Sequence, residues 1–115
     1  MIRKLITAAA LAAAFTAPAF AAEPIEGLWK RMKTGTIINF APCGGGFCAT
    51  VKNGGNAGKS IGTMAGTGGR YKGKLTDLET NKTYTGKASV KGNTMNLSGC
   101  VAGGLICKTE AWARQ

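Results

Sequence analysis

The sequence predicts an all-β fold, a small antiparallel up-and-down β-barrel of seven or eight short strands. Three observations lead there. Beyond residue 22 no stretch holds a helical period, and 18 glycines in 115 residues recur too densely for helix interiors. Apolar or small residues alternate with charged ones in Tyr71-Lys72-Gly73-Lys74-Leu75, and a similar alternation runs from Tyr84 to Lys91. Glycine-rich turns punctuate the chain at short spacing, which favours a meander, and closing a meander into a barrel removes its free edges.

The first segment reads as an address rather than as structure. Arg3 and Lys4 are followed by an alanine-rich apolar run over residues 5–15, by Pro18, and by Ala19-Phe20-Ala21. These are the three parts of a secretory signal peptide, with cleavage expected after Ala21 and a periplasmic or secreted destination. The run is shorter than the roughly 20 apolar residues of a membrane span, so a spanning anchor is not expected. Residues 22–115 are then a single domain, with 13 basic and 5 acidic side chains.

Strands are expected over residues 27–33, 36–41, 47–52, 60–65, 71–75, 84–91, 94–100 and 105–114, the fourth being the weakest. For the faces of residues 71–75 and 84–91 to agree, the loop between them must hold an even number of residues. Thr80-Asn81, or residues 79–82, satisfies this, and Asn81 best tolerates a positive φ. With that register Arg70, Lys72, Lys74, Lys87 and Lys91 share one outer cationic face, Lys74 near Lys87. The inward face carries Tyr71, Tyr84, Gly86, Ala88 and Met95, and small side chains among them either leave room for a slender ligand pocket or let a short barrel collapse onto Trp29, Phe40, Phe47 and Trp112.

Cys43 and Cys48 enclose four residues, and Cys100 and Cys107 enclose six. Four cysteines allow three pairings; the two local ones are favoured because each closes a short glycine-containing loop, with cross-pairing the alternative. In an oxidising compartment these are structural disulfides. A zinc site is disfavoured by the wider second spacing, and a redox Cys-x-x-Cys is absent.

Chemistry is constrained by what the chain lacks. It has no histidine, which excludes a Ser-His-Asp triad, a Cys-His pair and His-ligated metal. Asp77 and Glu79 are the one close carboxylate pair, and they flank a turn, where Asp bonds backbone. Gly58-Lys59-Ser60 resembles the end of a phosphate loop, but Asn53 stands where its first glycine belongs and no helix follows. No catalytic constellation, cofactor or metal is expected. Nucleic acid is not an expected partner, because base-stacking aromatics do not share the cationic face.

Several segments together resemble a known family. They are Glu26-Gly27-Leu28-Trp29, Cys43-Gly44-Gly45-Gly46-Phe47-Cys48, Gly73-Lys74, Lys82-Thr83-Tyr84, Leu97-Ser98-Gly99-Cys100 and the run from Leu105 to Arg114. In this order they resemble the domain-of-unknown-function 2147 family of small exported bacterial proteins. The resemblance implies a lipocalin-like barrel that binds small apolar molecules. The sequence departs from the pattern at Tyr71, where tryptophan is common, and at Ala49, where glycine often follows the second cysteine. Gly27-Leu28-Trp29 is also similar to the Gly-x-Trp opening of lipocalins, in which a late arginine covers the tryptophan. That likeness implies that Gly27, Trp29 and Arg114, or less readily Arg31, close one barrel end through a cation–π contact. The function expected is binding of a small hydrophobic or amphipathic molecule. The alternative is a cationic module that docks on anionic envelope polymers, lipid or a partner protein.

Overall fold

A computed structural model describes residues 22–115; the expected signal peptide lies outside the described residues. Eight strands follow one another: β1 (Gly27–Arg31), β2 (Ile37–Cys43), β3 (Gly46–Val51), β4 (Ser60–Thr67), β5 (Arg70–Asp77), β6 (Lys82–Lys91), β7 (Thr94–Val101) and β8 (Ile106–Arg114). A single 3-10 turn over Ala102–Gly104 interrupts the meander. Each strand pairs antiparallel with its successor, and β8 pairs back onto β1, closing the barrel. No helix among the described residues is long and apolar enough to cross a membrane.

Burial follows the period of two that an enclosed sheet imposes. On β2 and β3 the buried residues are Ile38 and Phe40, then Phe47, Ala49 and Val51. On β6, Gly86, Ala88 and Val90 are buried while Lys87 is exposed. β4 breaks the period, because Ile61 and Met64 are both buried. The cause is a register shift against Ala49/Thr50, which leaves Ile61 as an extra residue between Ser60 and Gly62. Gly62 takes φ of 135°, and a Cβ there would stand 1.9 Å from the Lys74 carbonyl oxygen. Only glycine lets β4 and β5 approach so closely.

The β5–β6 hairpin has an even loop, residues 78–81, with Asn81 at φ 57°. Its position differs from the expected one by a residue at each end, and this changes the cross-strand partners. Lys72, not Lys74, stands opposite Lys87, and Lys74 faces Thr85.

Both local disulfides are formed. Cys43–Cys48 staples the β2–β3 hairpin, with Cα atoms 5.8 Å apart. Cys100–Cys107 joins directly opposed residues of β7 and β8, with Cα atoms 4.0 Å apart. Two disulfides in so small a barrel fit an extracytoplasmic location.

Candidate functional site

The barrel has one sealed end and one open end. At the sealed end residues 23–26 fold under the strands, and Ile25 is fully buried. Trp29 Nε1 donates to the Ile25 carbonyl at 2.8 Å. Arg114 stands opposite Trp29 in the β1–β8 ladder, its guanidinium carbon 4.2 Å from the indole centroid. Its Nη atoms donate to the carbonyls of Pro24, Glu26 and Gly92. Gly27 lies beneath, where a Cβ would come 3.6 Å from Arg114 Nη1. Tyr71 completes the seal by donating its hydroxyl proton to Glu23 at 2.8 Å and accepting the Gly69 N–H. Burial first, and then the bond to Glu23, raise the Tyr71 phenol above its ordinary value.

The other end opens into a cup of about 650 Å³. That volume falls within the range of small-molecule pockets, roughly 300–1,000 Å³. Its apolar floor and lower wall come from Ile38, Val51, Ile61, Leu75, Leu97 and Trp112, all inward-facing by strand parity. Tyr84 and Gly86 contribute a wall, and the loops after β1, β3 and β5, with Val101 of β7 and Ile106 of β8, form the rim.

A charged cluster interrupts the apolar wall. Arg31 Nε donates to Glu110 Oε1 at 2.5 Å, and its Nη1 reaches Asp77 Oδ2 at 3.4 Å. Trp112 Nε1 donates to the same Glu110 oxygen at 2.8 Å. Burial alone pushes the Glu110 carboxyl up. The bonds from Arg31 and Trp112 and the charges of Arg31 and Lys33 outweigh it, so the carboxyl is held below its ordinary value. Asp77 Oδ1 meanwhile accepts the Glu79 N–H at 2.9 Å, the turn role its sequence context indicated.

This cluster was not singled out from sequence, although parity contains the signal. Arg31 follows Trp29 by two and Glu110 precedes Trp112 by two, so each charge shares its strand's inward face.

The five inward residues expected to form a pocket separate along the barrel axis. Tyr84 and Gly86 line the cup. Tyr71, Ala88 and Met95 pack in the closed half instead, 4%, 5% and 0% exposed. Small inward residues are likewise not empty space. A Cβ on Gly73 would meet the Thr63 carbonyl oxygen at 1.9 Å, and one on Gly99 would touch the Tyr84 ring at 3.4 Å.

On the outer wall Arg70, Lys72, Lys74 and Lys87 are exposed along β5 and β6, with Lys91 at the end of β6. A shallow groove beside Lys72 and Lys87 is lined further by Ser89, Asn96 and Ser98. Among the described residues the ion pairs both involve Arg31, so no carboxylate neutralises this wall.

No curated protein and no solved structure matches the chain. Residues 58–114, which carry β4 to β8, match the model of a family described as "Uncharacterized protein conserved in bacteria (DUF2147)".

Proposed function

We propose that the protein binds one small amphipathic molecule in the open cup. The observation that carries this reading is an apolar floor lying beneath a charged and polar rim in a cavity of about 650 Å³. The ligand's apolar body packs on Leu75, Leu97 and Trp112, and its polar end stays at the level of Arg31, Tyr84 and Glu110. Because Arg31 is already held by two carboxylates, the rim offers hydrogen bonds from both charge types rather than a single free cation. An exported carrier of this kind agrees with the two disulfides.

The test is titration with 1-anilinonaphthalene-8-sulfonate and with a medium-chain fatty acid, read by dye emission and by Trp112 fluorescence. Val101→Trp and Gly99→Trp each add bulk inside the cup, one near the mouth and one lower. Saturable one-to-one binding that falls at least tenfold in both variants, with far-UV circular dichroism unchanged, is the expected result. Binding equal in wild type and in both folded variants would refute the cup as the site.

A second reading rests on the opposition of Lys72 and Lys87 across β5 and β6. Like charges directly opposite cost stability, so a polyanion laid along this wall would relieve them. Salt-sensitive binding of a soluble polyanion, lost when Lys72, Lys74 and Lys87 become Gln, is its expected signature.

A further inference from the structure

The described residues leave five large apolar side chains exposed, and four of them stand at the open end. Met32, in the β1–β2 loop, is 60% exposed, and Leu105 and Ile106, at the β7–β8 tip, are 86% and 61% exposed. Val101 faces Ile106 across the base of that tip. Apolar residues scattered singly need no explanation, but a set gathered on one projecting end does. The Cys100–Cys107 bridge lies one residue pair below, so the tip is held out as a fixed element.

Cations surround the same end. Lys33 and Lys82 lie at the rim, Lys52 and Lys59 bracket the β3–β4 loop, and Lys108 follows the tip on β8. Of the acidic groups there, Asp77 and Glu110 are taken up by Arg31, which leaves Glu79. A polyanionic polymer would account for the lysines but not for the apolar tip. A protein partner would account for the tip, but a lysine-ringed patch is unlike the core of a protein interface. A lipid surface accounts for both, since it offers an apolar layer beneath a layer of negative charge.

We propose that the open end docks on an anionic phospholipid bilayer. Leu105 and Ile106 enter the interfacial layer, and Lys33, Lys82 and Lys108 meet lipid phosphates. Val101 and Ile106 also line the cup, so docking turns the cup's mouth toward the membrane. The proposal stands whether or not the cup takes a ligand.

The test is flotation of the disulfide-bonded protein with phosphatidylcholine vesicles, with and without phosphatidylglycerol. The expected result is partitioning only with phosphatidylglycerol, weakened by salt. Leu105→Asp combined with Ile106→Asp should lower it at least tenfold, and Lys108→Gln by roughly fivefold. The outer-wall Lys72, Lys74 and Lys87 to Gln variant should change it less than twofold. As a second readout, a Leu105→Trp variant should be quenched by brominated lipid while the buried Trp29 and Trp112 are not. Flotation that ignores the tip substitutions, flotation lost only with the outer-wall variant, or an unquenched position 105 would each overturn the proposal. Dye binding to a Leu105→Asp single variant without vesicles reports separately on the cup, which Leu105 does not line.

Discussion

Replacing Arg31 by Met, which keeps the length of the side chain's apolar stem, removes the cation that two carboxylates share inside the cup wall. The Arg31, Asp77 and Glu110 side chains are only 18%, 19% and 34% exposed. An exposed pair contributes roughly 0.2–1 kcal/mol, and stripping one partner from a fully buried pair costs roughly 3–5 kcal/mol. This cluster lies between those limits and is screened by solvent in the open cup, so the substitution should cost about 1–2 kcal/mol at neutral pH. The pH dependence follows from the depressed Glu110 carboxyl. A carboxyl held below its unfolded value stabilises the fold above that value, and the contribution is lost as pH falls through the folded pKa. The difference between wild type and Arg31→Met should therefore be full at neutral pH and shrink in acid. Urea unfolding with disulfides intact, at about pH 7 and about pH 3, measures it. Adding Glu110→Gln should reveal coupling of about 1 kcal/mol in a double-mutant cycle. A pH-independent difference, or strict additivity, would refute the reasoning.

Three further outcomes are expected. Arg114→Met loses the cation–π contact and three carbonyl partners at the sealed end, and should cost about 2–3 kcal/mol in urea unfolding; a loss under about 0.5 kcal/mol would make the seal decorative. In a Tyr84→Phe background the remaining phenol should ionise above the ordinary tyrosine value by ultraviolet absorbance, and an ordinary or lower midpoint would contradict its bond to Glu23. Because this value is raised, any stability linked to it is present below the unfolded pKa and lost as pH climbs through the folded one. Asn81→Ala should destabilise by about 1 kcal/mol because alanine resists the left-handed region, whereas Asn81→Gly should be near neutral; equal losses in both would assign the effect to the side chain instead.

Parity makes much of the barrel legible in the sequence. The alternation around Tyr71 and Tyr84 fixed which residues face inward, and the even loop and the strained Asn81 followed from it. The local disulfides were readable because short spacings close hairpins. Parity is silent, however, about position along the barrel axis. Tyr71 and Tyr84 share a face, yet one belongs to the seal and the other to the cup, because axial height depends on how each strand is staggered against the next. The same blindness affected the lysines. Moving the turn by one residue at each end leaves every inward residue inward but slides Lys87 from Lys74 to Lys72. The bulge at Ile61 makes β4 the weakest strand in the sequence for a related reason, since an inserted residue interrupts the period that marks a strand.

The pairing of β8 with β1 has a consequence for the order in which the molecule is made. Every other pair of strands joins neighbours in sequence, and both disulfides lie within such hairpins. Only three residue pairs, Trp29 with Arg114, Lys30 with Ala113 and Arg31 with Trp112, zip the first strand to the last. Since β8 is the last strand of the barrel, the cylinder cannot shut until β8 has emerged, and until then Trp29 lacks its lid. Oxidation can finish before that moment or after it, because no sulfur bridge spans the seam. The covalent cross-links therefore fix neighbouring staves, and the pairing of β8 with β1 hoops the cask.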